Sequence, residues 1–216
     1  MQRSLSILIL LICVSCNTTQ QPTTTTNTSH NAADFEKLVD DLLYGALALS
    51  PVAATQTGYH EHNGMALDEM IDDYSTLGIE AQRKFYEGIQ SRVNALNTSS
   101  LDKEQQADLQ IIKNQLNLQL LDLNTIQTFK HNPTMYVELA GNALFVPYML
   151  EYAPKEKRFG HIVKRIEKMP ALFAQAKANL VDAPEVWNRV AVDENKGTID
   201  LIDKASKDGA STLSNS

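Results

Sequence analysis

The stretch Asp102–Leu123, DKEQQADLQIIKNQLNLQLLDL, decides how the chain is built. Leu109, Ile112, Leu116, Leu120 and Leu123 recur every three to four residues, the spacing that sets side chains along one face of a helix, and they predict a buried stripe. Asp102, followed three residues later by Gln105, has the form of a capping box, in which each side chain satisfies a free backbone N–H of the first turn. Upstream, Tyr74, Leu77, Ala81, Phe85, Ile89, Val93 and Leu96 trace a second stripe of the same period, and the polar run Asn97-Thr98-Ser99-Ser100 divides the two. Two long amphipathic helices joined by a short polar loop predict an antiparallel hairpin.

The same logic extends both ways. Phe35, Leu38, Leu42, Ala46 and Leu49 share a helical face that starts near Asn31 and Asp34. Ser50-Pro51 reads as the N-cap and first residue of a short helix that Gly58 ends by turning left-handed, and Tyr59 to Asp73 is less regular. Asn132-Pro133 restarts the chain, and Met135 to Tyr152 reads as a buried helix broken at Gly141 and Pro147. Pro154 opens a basic helix with Phe159, Ile162 and Ile166 on its apolar face. Pro170 separates it from a helix over Ala171–Leu180, and a last helix starts near Pro184 and runs through Trp187, Val190, Ile199 and Ile202. No strand alternation of useful length, sustained heptad or internal repeat occurs. The expected class is all-α: a multi-helix array with at least one long antiparallel hairpin. Residues 32–208 form the helical domain and 209–216 a flexible tail.

Composition agrees with one globular domain: 216 residues, 43% hydrophobic and 21% charged. Nineteen Lys plus Arg against 26 Asp plus Glu give a net charge of −7, which argues against nucleic acid as a partner. Arg3 is the one charged side chain before Asp34, and the apolar run Leu5–Val14 behind it is half of what a bilayer-spanning helix needs, so the start reads as a secretory signal. Ser15-Cys16 at its end resembles a bacterial lipobox, so Cys16 is the expected lipid attachment point and residues 1–16 the signal. With Cys13 lost alongside the signal, no thiol remains for a disulfide, for catalysis or for zinc. Residues 17–31, rich in Thr, Asn and Gln, read as a disordered tether. The expected location is the bacterial cell envelope, with the membrane as partner through the lipid and the domain facing the periplasm or exterior.

No complete catalytic signature is present. His60-Glu61-His62 supplies ligand types that zinc takes, yet a helical zinc site needs His at i and i+4, and these two are two apart. A structural or solvated role is the plainer reading. The basic run Lys155, Lys157, Arg158, Lys164, Arg165 and Lys168 reads as a solvated face. The pairs Asp40-Asp41 and Asp72-Asp73 supply carboxylates, but a glycosidase pair is defined by distance in space, and Asp72 reads equally as a helix-entry residue that satisfies free N–H groups. Neither a Gly-x-Ser-x-Gly elbow nor a phosphate-binding glycine loop occurs.

Several short features recur together in order: Ser50-Pro51, Gly58-Tyr59-His60, Asp72-Asp73-Tyr74-Ser75, Asp102 with Asp108-Leu109, Asn132-Pro133 with Tyr136, Ala153-Pro154 with Arg158 and Arg165, then Pro170, Leu172, Ala176 and Asn179-Leu180. From Asp34 to Lys204 this pattern resembles the N-terminal part of the bacterial family called domain of unknown function 885, helical envelope proteins, often lipoproteins, related to zinc-dependent peptidases. The resemblance implies that the array is an incomplete part of a larger helical zincin-like fold, in a longer protein with a later His-Glu-x-x-Pro-Gly-His-His motif, which this sequence lacks. No metal ligand or catalytic base carries over, and zinc is expected in a full-length member alone, with no cofactor in this chain. What carries over is a scaffold role, with His60, Asp72, Tyr136, Arg158 and Arg165 as candidate scaffold or cleft-wall positions. The expected partner is then a missing C-terminal catalytic half, and the chain is expected to be inactive alone. The alternative is a complete small helical lipoprotein that binds a peptide or envelope protein in a groove between helices.

Overall fold

The computed structural model describes residues 25–213. Helix α1 (Thr25–Leu49) buries Phe35 and Leu38, turns sharply at Ser50, and leads into α2 (Pro51–Thr57), which Gly58 ends in the left-handed conformation with φ +83°. The helix thus begins inside the stretch whose composition reads as a tether. Helix growth adds one hydrogen bond per residue once a packed body exists, so it can propagate through residues of poor intrinsic preference.

Between α2 and α3 lies a two-stranded ribbon, β1 (Glu61–His62) against β2 (Met65–Ala66), followed by a single 3-10 turn over Leu67–Glu69. Helices α3 (Thr76–Ala95) and α4 (Lys103–Leu121) form the expected antiparallel hairpin: Arg83 bonds Asn124 near one end and Gln90 bonds Asn117 further along. Both halves of the Asp102/Gln105 capping box are present, and all five leucine and isoleucine positions of the α4 stripe are buried. The α3 stripe is correct in its second half alone. Leu77 is 81% exposed, Ala81 is exposed, and Ile79 is buried instead. The reason is a change of partner along the helix. Ile89 and Val93 pack with Phe35, Leu38, Leu109 and Leu116 in one core, whereas Ile79 belongs to a second core with Tyr136, Leu144 and Leu172. A helix that serves two cores must rotate its buried face between them.

A π-turn (Asp122–Ile126) and the short α5 (Thr128–His131) lead to α6 (Pro133–Met149), one continuous helix through Gly141 and Pro147 where a break was expected. After α7 (Lys155–Ile166) and α8 (Met169–Asn179), α9 (Glu185–Leu213) runs beside α6 in the same direction: Gly141 faces Thr198, and the Tyr148 hydroxyl donates to Asp208 at 2.6 Å. Ala140, Ala143 and Ala205 line the second core and let the backbones approach. Gly209 does not end the helix, as a tail starting there requires. A Cβ at Gly209 would lie 2.9 Å from Phe159, so its glycine reflects close approach of α7. Among the described residues no single helix is long and apolar enough to cross a membrane.

Candidate functional site

Polar chemistry concentrates where the ribbon meets α2 and α7. Asn63 (φ +49°) and Gly64 (φ +80°) make the tight turn that pairs Glu61 with Ala66 and His62 with Met65. The 3-10 turn that follows inserts Asp68 between α2 and α7, where it is buried. A buried carboxylate is costly unless its oxygens are bonded, and these are. Oδ1 accepts from the Thr55 hydroxyl at 2.8 Å and lies 2.9 Å from His60 Nδ1. Oδ2 lies 3.6 Å from His161 Nδ1, which in turn is 3.0 Å from the Tyr152 hydroxyl. The Tyr152 ring stacks between the two imidazoles, 4.5 Å from His60 and 6.0 Å from His161. Burial holds the His161 imidazole below the usual histidine range, an effect that Asp68 opposes, and pushes the Tyr152 phenol up to about 12.

Arg165 anchors this network from below with 0% exposure. Its Nη2 donates to Thr55 Oγ1 at 2.6 Å and to the Pro51 and Leu67 carbonyls at 3.3 Å each. Its Nη1 donates to the Ala143 carbonyl at 3.0 Å. That contact explains how α6 continues through Pro147. Proline has no N–H, so the carbonyl four residues before it loses its helical donor. That carbonyl belongs to Ala143, and the guanidinium replaces the missing donor. Arg158 acts one turn further on: Nη1 donates to the Pro147 and Tyr148 carbonyls and Nε to Ala153, satisfying acceptors at the end of α6. Arg158 and Arg165 are therefore buried ties, which corrects their placement on a solvated basic face; Lys155, Lys157 and Lys164 do face solvent. An arginine's reach and five donors make it able to serve the interior, so spacing on a helix alone misassigns it.

Asp72 does cap a helix, but through space. Its Oδ1 accepts from Val52 N–H at 3.1 Å in the first turn of α2, where the Ser50 side chain makes no capping bond. Burial pushes its carboxyl up to about 6, against the pull of the Val52 N–H and the Arg165 charge. The cap of α3 is Ser75, which accepts from Gly78 N–H. Tyr136 is buried and donates to the Phe129 carbonyl at 2.7 Å; Asn179 donates to its hydroxyl and to the Tyr74 carbonyl. The five candidate positions thus fall into two groups, His60, Asp72, Arg158 and Arg165 around α2 and α7, and Tyr136 in the second core. Cys16 lies outside the described residues.

Thr55, Asp68, Tyr152 and His161 complete the network without having stood out in the sequence. Asp68 lies in a stretch without periodicity, and the signal that locates it is Asn63-Gly64, a hairpin turn dipeptide that folds His60 back onto it. The arrangement suits proton sharing and structural anchoring. His60 Nδ1 is bonded to Asp68 Oδ1 and His161 Nδ1 to the Tyr152 hydroxyl, with Asp68 Oδ2 3.6 Å from the latter nitrogen. Among the described residues no group of three or more His, Cys, Asp or Glu is arranged to hold a metal ion.

This all-helical array, tied by buried arginines, is of a class already known in sequence and in structure. The chain belongs to the DUF885 family, bacterial proteins of unknown function, whose profile matches residues 51–215. Its fold is similar to that of a chain described as "a putative lipoprotein of unknown function" from Shewanella oneidensis, with a TM-score of 0.67 and 23% identity. The match covers 78% of the present chain and 29% of that one, so the fold described here spans less than a third of the solved chain. No curated protein matches this chain.

Proposed function

We propose that this chain is the exported, lipid-anchored, helical N-terminal segment of a zinc peptidase-like hydrolase, walling a substrate cleft and hydrolysing nothing alone. The observation that carries the reading is the coverage: a fold complete enough to place 78% of its residues on a solved chain accounts for 29% of that chain. The surface supports it. Phe145, Met149 and Leu150 near the end of α6, and Val186, Trp187 and Val190 in the first turns of α9, are large apolar side chains exposed to solvent. With α6 and α9 running in the same direction these two sets lie at opposite ends of the pair, and exposed apolar surface of this kind marks where further chain can pack. The lipid at Cys16 rests on the Leu5–Val14 run and the Ser15-Cys16 junction.

The test is to sequence the source DNA several hundred codons past Ser216 in all three frames. A His-Glu-x-x-Pro-Gly-His-His motif there, together with peptide hydrolysis and stoichiometric zinc in the joined protein but not in the 216-residue chain, is the expected outcome. Tight stoichiometric zinc in the 216-residue chain, or absence of the motif, overturns the reading. Absence of the motif leaves a free-standing helical lipoprotein that uses such apolar surface for a peptide or envelope protein.

A further inference from the structure

A second site lies away from the Asp68 network, in the cleft between α1 and the turn of the ribbon. It is an open cleft of about 400 Å³, within the range of about 300–1,000 Å³ seen for small-molecule pockets, and Asp40, Asp41, Tyr44, Tyr59, His62 and Asn63 are among its lining residues. Tyr44 is 41% exposed although it is large and aromatic, and its ring lies 5.0 Å from that of Tyr59 at an angle of 40°. The polar rim is held in place. His62 is bonded at both nitrogens, by Asn63 Nδ2 at 3.0 Å and the Tyr59 hydroxyl at 2.8 Å, and Asn63 sits in the left-handed turn. The amide nitrogen can only donate, so in this arrangement Nε2 accepts and Nδ1 carries the proton, which it gives to the Tyr59 oxygen. The phenolic hydrogen of Tyr59 is then left for another acceptor.

The local charge selects the ligand class. Asp41 accepts from Lys37 at 3.0 Å and from Arg92 at 2.8 Å, and these two cations balance the two carboxylates of the rim. These four charges sum to zero, so they do not by themselves favour an ionic ligand. An uncharged ring with an apolar face and a rim of hydroxyls uses what the cleft offers: an aromatic face, carboxylate acceptors, an amide and a phenolic donor. We infer that this cleft is a saccharide-binding subsite, taking a neutral pyranose with its C–H face on Tyr44 and its hydroxyls on Asp40, Asn63 and Tyr59.

The full chain in detergent micelles is titrated with neutral disaccharides of gluco, galacto, manno and N-acetylglucosamine configuration, and with choline as the cationic comparator, read by calorimetry and saturation-transfer NMR. At least one disaccharide is expected to bind in the millimolar range with transfer to its ring C–H protons. Tyr44→Ala should weaken it about tenfold, and Tyr59→Phe, which keeps the ring and removes the donor, about threefold. Tyr44 is exposed, so its variant should keep the far-ultraviolet spectrum of the parent; should it not, Tyr59→Phe decides alone. Absence of binding by all four sugars overturns the inference, as does binding indifferent to both variants or tighter binding of choline than of every sugar.

Discussion

Replacing Arg165 by Met tests whether one buried guanidinium ties α2, the 3-10 turn, α6 and α7 together. The side chain is fully buried and donates to Ala143, Pro51, Leu67 and Thr55. Methionine fills similar volume but leaves those acceptors unpaired and removes a buried cation whose charge acts on the carboxylates of Asp68 and Asp72. Removing one partner from a buried charged network costs about 3–5 kcal/mol, a large share of the roughly 5–15 kcal/mol that stabilises a domain. With a urea slope of about 2 kcal/mol per molar, a loss of about 4 kcal/mol moves the unfolding midpoint down by about 2 M. Far-ultraviolet circular dichroism at pH 7 reads this directly. The proline sharpens the test. In Pro147→Ala the helix regains its own donor to the Ala143 carbonyl, so Arg165→Met should cost about 1 kcal/mol less in that background than in the parent. A cost below about 1 kcal/mol in the parent, or no difference between backgrounds, refutes the argument.

Other consequences follow from the same packing. The folded-state pKa of His161 is lowered, so the unfolded chain binds the extra proton: stability is present above the ordinary pKa of 6.5 and declines as pH falls from there through the folded value. Asp72 has the opposite sign, since its carboxyl is raised from 3.8 to about 6; stability falls as pH rises through that window, and Asp72→Asn should flatten it while His161→Gln flattens the other, both read as urea midpoints against pH. A Cβ at Gly45 would overlap the Phe85 ring, so Gly45→Ala should cost about 1–3 kcal/mol in thermal or urea unfolding, and Phe85→Leu should recover part of it. On α4, Leu116→Ala at a fully buried position should cost about 2–5 kcal/mol, whereas Leu118→Ala two residues on, exposed, should change the midpoint by no more than about 0.5 kcal/mol.

How much of this was legible depended on the range of the interaction. The α4 stripe, the Asp102/Gln105 box and the left-handed Gly58 are written in residues within a turn or two of each other, and each is found where its spacing puts it. Leu77 and Ala81 fail because periodicity measures the direction of one face, and α3 turns that face from one core to another along its length. Arg158 and Arg165 fail for a related reason. A helical pattern sorts charged residues outward, and nothing within α7 records that the carbonyls of α6 wait for donors. Pro147 was visible as a helix breaker; its compensation sits eighteen positions later.

The sequence by itself determined the helical class, the hairpin over Tyr74–Leu123 and the punctuation at Pro51, Gly58, Pro133 and Pro154, because helix faces and caps depend on neighbours at i+3 and i+4. The tertiary structure alone decided that Asp68 lies between His60 and His161, that Asp72 caps α2 rather than α3, and that Arg165 repairs the proline of α6. Those contacts join residues up to 114 positions apart, as between Arg165 and Pro51. Their partners are chosen by burial: a polar group taken out of water must find a mate wherever the packing of the helices brings one.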